Sequence, residues 1–280
     1  MRYLKRSIFM SFFVFTLCLP SFLAAQVRGG GLMVAPTRLE LEGRNRSASL
    51  TLINNGSETS TYRIGTINSR MTETGARENV EDSGEQGDMF ADSIIRFAPR
   101  QVRLKPGEQQ TVRVMARIRP NLKEGEYRTG LNFQWIPEPG EPTIGKEESD
   151  KSEGISVNIQ FSYGVTIPVI VRHGELSATG KVAEMKIETE DGNKNLLINI
   201  EREGNRSLYG DLTVYAQNDG EETEIRKMGG VAIYVPNERR IFSVRLPENA
   251  LDSAQKVRVE YRNRRDAGGS LICEGTMPIN

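Results

Sequence analysis

The sequence predicts an all-β protein built as two antiparallel sandwiches, and three observations predict it. Short runs of alternating apolar and polar residues are parted by turn signals about every 8–12 residues up to residue 172. No stretch of convincing length past the N-terminal leader carries a helical period. The chain has 280 residues, enough for two domains of ordinary size with a core each.

Element by element, "MVAPTRLEL" (33–41) and "SASLTLINNG" (47–56) read as strands, the second ending in an Asn-Asn-Gly turn. "STYRIGTI" (60–67) is a third. Residues 72–88, "TETGARENVEDSGEQGD", are polar and glycine-bearing and read as a loop. "IIRFAPRQVRLKPGEQQTVRVMARI" holds two strands around a Lys105-Pro106-Gly107-Glu108 turn, where the proline sets the bend. "EYRTGLNFQWIP" (126–137) is another strand, and residues 138–154 form a charged, proline- and glycine-bearing loop. Beyond a hinge at "HGELSATG" (173–180), six more alternating runs predict a second all-β domain.

Residues 154–172, "GISVNIQFSYGVTIPVIVR", are the most informative stretch. Every odd position from Ile155 to Val171 is apolar, whereas the even positions up to Thr166 are Ser, Asn, Gln, Ser, Gly and Thr. An extended chain therefore has one greasy and one wet face. This row is longer than the strand of about five or six residues that one domain usually covers. From Val165 to Val171 it is expected to face its own core; the earlier part asks for another cover.

The first 25 residues read as a secretory signal peptide: Arg2, Lys5 and Arg6, then a mostly apolar run from Ile8 to Leu23, then Ala24-Ala25. No other segment is long and apolar enough to span a bilayer as a helix. Without the three basic leader residues, 34 Lys and Arg face 37 acidic residues, so charge exerts no general pull toward nucleic acid. Cys18 leaves with the leader, and Cys273 alone makes no internal disulfide. His173 is the single histidine and has no ligand cluster around it, which argues against a metal site, a cofactor or a histidine-based triad. An exported β-sandwich enzyme is disfavoured on the same grounds.

Six segments, in order, resemble the PapD-like periplasmic chaperones of the chaperone–usher pathway, over roughly residues 33–275. They are "PTRLELEG", "FAPRQVRLKPGEQQTVRV", "EGEYRTGLNFQWIP", the long alternating strand, its end "IPVIVR", and "YRNRRDAGG". The resemblance implies two Ig-like β-sandwich domains, residues 26–173 and 174–280, arranged as a boomerang with a cleft between them. It implies a chaperone without catalysis that binds a pilus or fimbrial subunit by lending it a strand, then delivers it to an outer-membrane usher in the periplasm.

By register with the family, Ile155, Val157, Ile159, Phe161 and Tyr163 are the donor side chains. Arg38 falls where the family holds the subunit's C-terminal carboxylate, and a guanidinium suits that group. The family's accompanying lysine has no counterpart: Pro168, or Thr166 in a shifted register, stands there. Arg38 then acts alone, or Arg128 or Arg172 reaches in, or the carboxylate is held differently. Glu126, Arg172 and Asp266 match three family positions that form a salt bridge between the domains. A sticky donor row also suggests self-association that caps the strand when no subunit is present. The rival reading is an exported structural or adhesive Ig-like surface protein whose long strand belongs wholly to its own sheet.

Overall fold

The computed structural model describes residues 31–80, 88–137 and 163–279. The donor positions Ile155, Val157, Ile159 and Phe161, and the leader, lie outside the described residues.

Two β-sandwiches, each around its own core, make up the described residues. In the first, one sheet has the order β1 (Leu32–Ala35), β3 (Ser47–Asn54), β9 (Gln109–Ala116), β7 (Ile95–Ala98). The facing sheet runs β2 (Leu39–Glu42), β11 (Gly164–His173), β10 (Gly125–Ile136), β4 (Ser60–Ile67), β8 (Gln101–Leu104). Leu41, Leu52, Val112, Leu131, Phe133, Val169 and Val171 fill the space between them. Inward-facing residues alternate with outward ones along each strand, as the period-two pattern requires. The alternation in β11 holds: Ile167, Val169 and Val171 are buried in this core and Val165 packs against it.

The second sandwich stacks β12 (Ala178–Glu190), β13 (Asn193–Gly204) and β16 (Arg239–Arg245) on a sheet of order β15 (Glu221–Ile233), β14 (Leu208–Asn218), β17 (Lys256–Asn263), β18 (Leu271–Pro278). Its core includes Leu196, Ile198, Val214, Phe242, Val257 and Tyr261. Cys273 is buried here, and burial pushes its thiol up to about 11, so it behaves as a small apolar residue.

In the first sandwich and the hairpin beside it, three elements differ from the sequence reading. The run 33–41 is two strands in opposite sheets, because Pro36, lacking an N–H, ends the ladder of β1. Pro99 likewise splits 94–104 into β7 and β8, which pair with different partners, so 94–118 holds three strands rather than two. Part of the expected loop 72–88 joins a short hairpin, β5 (Ser69–Met71) and β6 (Arg77–Asn79). Two three-residue strands are too short to show a period, and Met71 is their one buried residue.

That hairpin ties the sandwiches together. Met71 packs with Ile170 of the first sandwich and with Ala232 and Tyr234 of the second. The Glu73 carbonyl accepts a hydrogen bond of 2.7 Å from the Ile241 amide, which extends the open edge of β16. Arg239 Nε lies 2.8 Å from the Glu73 carboxylate, and Asn237 Nδ2 donates to the Met71 carbonyl at 2.8 Å. Gly75 turns the hairpin at φ +89°, and a Cβ there would lie 2.1 Å from the Arg240 guanidinium.

Candidate functional site

The pleat of β2, β11 and β10 places one set of side chains in the core and the other set toward the second sandwich. In register across the three strands, Glu42, Arg172 and Glu126 form one row, and Glu40, Ile170 and Arg128 form the next. Leu39 pairs with Val169 in the parallel ladder, so Arg38 comes alongside Pro168, which faces Gly130 on its other side. Charges on alternate residues of "RLELE" therefore share a face because Leu39 and Leu41 occupy the core.

The row at Arg172 is a dense ion cluster. Arg172 Nε donates to Glu126 at 2.9 Å, and its Nη1 donates to Glu40 at 2.7 Å and Glu42 at 3.1 Å. The Glu126 side chain is 0% exposed and that of Arg172 is 3% exposed. Burial alone would lower the Arg172 pKa, but Glu126 and Glu40 outweigh it and hold the guanidinium charged. For Glu40, burial works upward, and Arg172 with Arg38 overcomes it, leaving the carboxyl below its ordinary range.

Contact with the second sandwich runs through Ser207, whose hydroxyl donates to the other oxygen of Glu126 and accepts from the Val235 amide at 3.0 Å. Arg206 adds an ion pair to Glu42 at 3.7 Å. The expected three-membered bridge is thus corrected. Glu126 and Arg172 meet, but Asp266 sits in a 3₁₀ turn (Arg265–Ala267) with its side chain 78% exposed and its ion pair, at 3.6 Å, to Arg264. Arg172 already faces three carboxylates, so a fourth negative group would be repelled, whereas a hydroxyl donor is welcome. Ser207, Arg206, Glu40 and Glu42 were not singled out from sequence. Only the alternation of Leu39 and Leu41 hinted at where the two glutamates point.

Arg38 lies beside this cluster. Its Nε donates to Glu40 at 2.6 Å and its Nη1 to the Tyr234 hydroxyl at 2.8 Å, while its guanidinium carbon lies 4.0 Å from the Tyr209 ring centroid. Only 10% of the side chain is exposed, and Nη2 is buried with no partner among the described residues. Arg128 approaches Tyr234 too, its guanidinium carbon 4.2 Å from the ring centroid. Tyr234 and Tyr209, also missed from sequence, are the surfaces on which these arginines rest.

Above this base, β11 changes partners. Val169–Arg172 pair with β2 on one side and with β10 on the other, whereas Gly164–Pro168 pair with β10 alone. Among the described residues, the second edge of Gly164–Pro168 carries no ladder. At the top of the described strand the Tyr163 ring stacks on Trp135, centroids 5.1 Å apart and planes parallel. A groove of about 1170 Å³ separates the sandwiches elsewhere, lined by residues such as Glu124, Glu126, Glu203 and Glu238.

The family described as pili and flagellar-assembly chaperones, PapD N-terminal domain, matches residues 31–176. The match spans more than half of the chain, which therefore belongs to this family of non-enzymatic, PapD-like assembly chaperones. No curated protein matches it. Among solved structures it is similar to the CupB2 chaperone of Pseudomonas aeruginosa, at 16% identity and a TM-score of 0.42 over 88% of this chain and 97% of that one. The YadV chaperone is similar at 14% identity and a TM-score of 0.45, covering 89% of this chain and 100% of that one. A complex of CsuC with the tip subunit CsuE from Acinetobacter baumannii matches at 11% identity and a TM-score of 0.43, over 88% and 96% respectively.

Proposed function

We propose that this chaperone works in the periplasm, where it holds a pilus or fimbrial subunit by donor-strand complementation and passes it to an outer-membrane usher. In this reading residues 1–25 are the export signal, 26–173 the domain that carries the donor strand, and 174–280 the second domain.

One observation carries the reading. The free edge of β11 at Gly164–Pro168 starts beside Arg38 and runs toward the alternating row at Ile155, Val157, Ile159 and Phe161. A subunit strand laid on that edge satisfies backbone groups that have no ladder partner among the described residues, and the apolar row enters the subunit's core. Tyr163, the last donor position, stacks on Trp135 where the donated row meets the described part of the strand. Arg38 receives the subunit's C-terminal carboxylate, which fixes the register, since a slip of one residue would turn every side chain to the wrong face. Each apolar side chain seated in the subunit contributes about 1.5–3 kcal/mol.

The test is capture from the periplasm with tagged wild type, Phe161→Asp and Arg38→Ala, the partners identified by mass spectrometry. Wild type should retain a small Ig-like subunit in a one-to-one complex, and both folded variants should lose it. If all three retain the same partners, or wild type retains none while fibres still assemble, the long strand serves its own sheet and the protein is structural.

A further inference from the structure

We propose that Tyr234 and Tyr209 of the second sandwich are positioning residues for Arg38, aiming its guanidinium so that one nitrogen is kept for an incoming carboxylate oxygen. This rests on the reading of Arg38 given above.

Arg38 precedes β2, where Leu39 and Leu41 take the core positions, so Arg38 is turned toward the second sandwich. A side chain of this length has many rotamers and keeps one direction only where contacts fix it. Three contacts do so here. Glu40, on the same face of the strand, accepts from Nε at 2.6 Å. The other two cross the joint: the Tyr234 hydroxyl accepts from Nη1 at 2.8 Å, and the Tyr209 ring centroid lies 4.0 Å from the guanidinium carbon.

The second sandwich is built to present both rings. Tyr209 in β14 pairs with Ala232 in β15, and Tyr234 follows two residues later, so the three share one face. On that face Tyr234 is 4% exposed and packs with Met71 and Ile170, and Tyr209 packs against the same cluster. Gly230 adjoins them at φ +66°, and a Cβ there would lie 3.1 Å from the Tyr209 hydroxyl. Glycine therefore gives the ring its room.

The choice of tyrosine has a chemical reason. Glu40 divides its charge, with one oxygen on Arg38 and the other 2.7 Å from Arg172. A phenol hydroxyl and an aromatic face attract a guanidinium without neutralising it, whereas a further carboxylate here would consume the charge. With Nε and Nη1 engaged, Nη2 remains, buried and without a partner among the described residues, on a side chain 10% exposed. A buried donor left unmade is costly, and a carboxylate oxygen brought to it forms a short charge-assisted bond. The arginine belongs to the first sandwich, but its aim belongs to the second.

The experiment follows the Arg38 Nε–H signal of the full chain by NMR during titration with sodium acetate against sodium chloride at constant ionic strength. Arg38→Lys identifies the signal, and Trp135 emission reports that each variant is folded. Wild type and Tyr209→Phe, which keeps the ring, should follow one saturation curve. Tyr234→Phe and Tyr209→Leu should each need about tenfold more acetate. If both follow the wild-type curve, the tyrosines only pack the joint; the positioning role is overturned and the Arg38 reading stands. If Tyr209→Phe weakens as much as Tyr209→Leu, the ring does not aim Arg38, and the proposal fails for Tyr209. No response in wild type sinks the Arg38 reading and the positioning role with it. Tyr234→Phe, which removes a single oxygen, decides the matter even if Tyr209→Leu does not fold.

Discussion

Replacing Glu126 with alanine should loosen the joint between the sandwiches and lower the stability of the first. Its carboxylate is fully buried, receives Arg172 Nε at 2.9 Å, and accepts from the Ser207 hydroxyl. Breaking a buried pair by removing one partner costs about 3–5 kcal/mol. Arg172 keeps Glu40 and Glu42, both on its Nη1 and both partly exposed, which places the expected loss near the low end, about 3 kcal/mol. With a urea slope of about 2 kcal/mol per molar, the unfolding midpoint should fall by about 1.5 M.

Trp135 is the only tryptophan and lies in β10, so its fluorescence reports the first sandwich without interference. Glu126→Gln keeps an acceptor for Ser207 and should lose about half as much. If Glu126→Ala leaves the Trp135 midpoint in place while its spectrum stays native, the cluster does not hold the joint, and the reasoning from burial and pairing is wrong.

Three further outcomes are expected. Gly75→Val forces a side chain into Arg240 at a positive φ and should lift the hairpin off β16, so the Ile241 amide, hydrogen-bonded to Glu73 at 2.7 Å, should exchange at least tenfold faster; unchanged exchange would show that the hairpin is not the tie. Glu260, held down to about 2 by Arg262 and Arg258 against an ordinary value of 4.5, adds stability above pH 4.5 that is lost as pH falls toward 2. Glu260→Gln should flatten that acid limb in circular-dichroism melts, and an unaltered limb would exclude the carboxylate as its source. If the donor row caps itself in the absence of a subunit, sedimentation of the purified protein should show a concentration-dependent dimer that Phe161→Asp abolishes; monomer alone at micromolar concentration would reject the idea.

Strand positions were legible wherever a core demanded a period of two, as at Ile167, Val169 and Val171 or at Leu196, Ile198 and Ile200. Sheet membership was less legible. Pro36 and Pro99 break runs that look continuous, and which sheet each half joins is decided by pairing partners distant in sequence. β18 escaped notice because "LICEGTMP" mixes apolar and small polar residues at an edge.

At the site, matching positions to the family brought out Arg38, Glu126 and Arg172, which the fold gathers on one face of the sheet. Asp266 was misplaced because a charge in a surface loop finds the nearest cation, here Arg264. Tyr234, Tyr209 and Ser207 gave no local signal. Their roles arise from contacts with residues of the first sandwich, such as the bond across 196 positions from Arg38 to Tyr234. The hairpin at 69–79 was hidden for the same reason: its meaning lies in what it touches.

Strand donation itself is tested most directly by placing a photo-crosslinking amino acid at each position from 155 to 161 in turn, within cells that assemble the fibre. The account predicts an alternation: crosslinks to the subunit's core from 155, 157, 159 and 161, and few or none from 156, 158 and 160. Crosslinks from the odd positions to this chain's own first sandwich would contradict it.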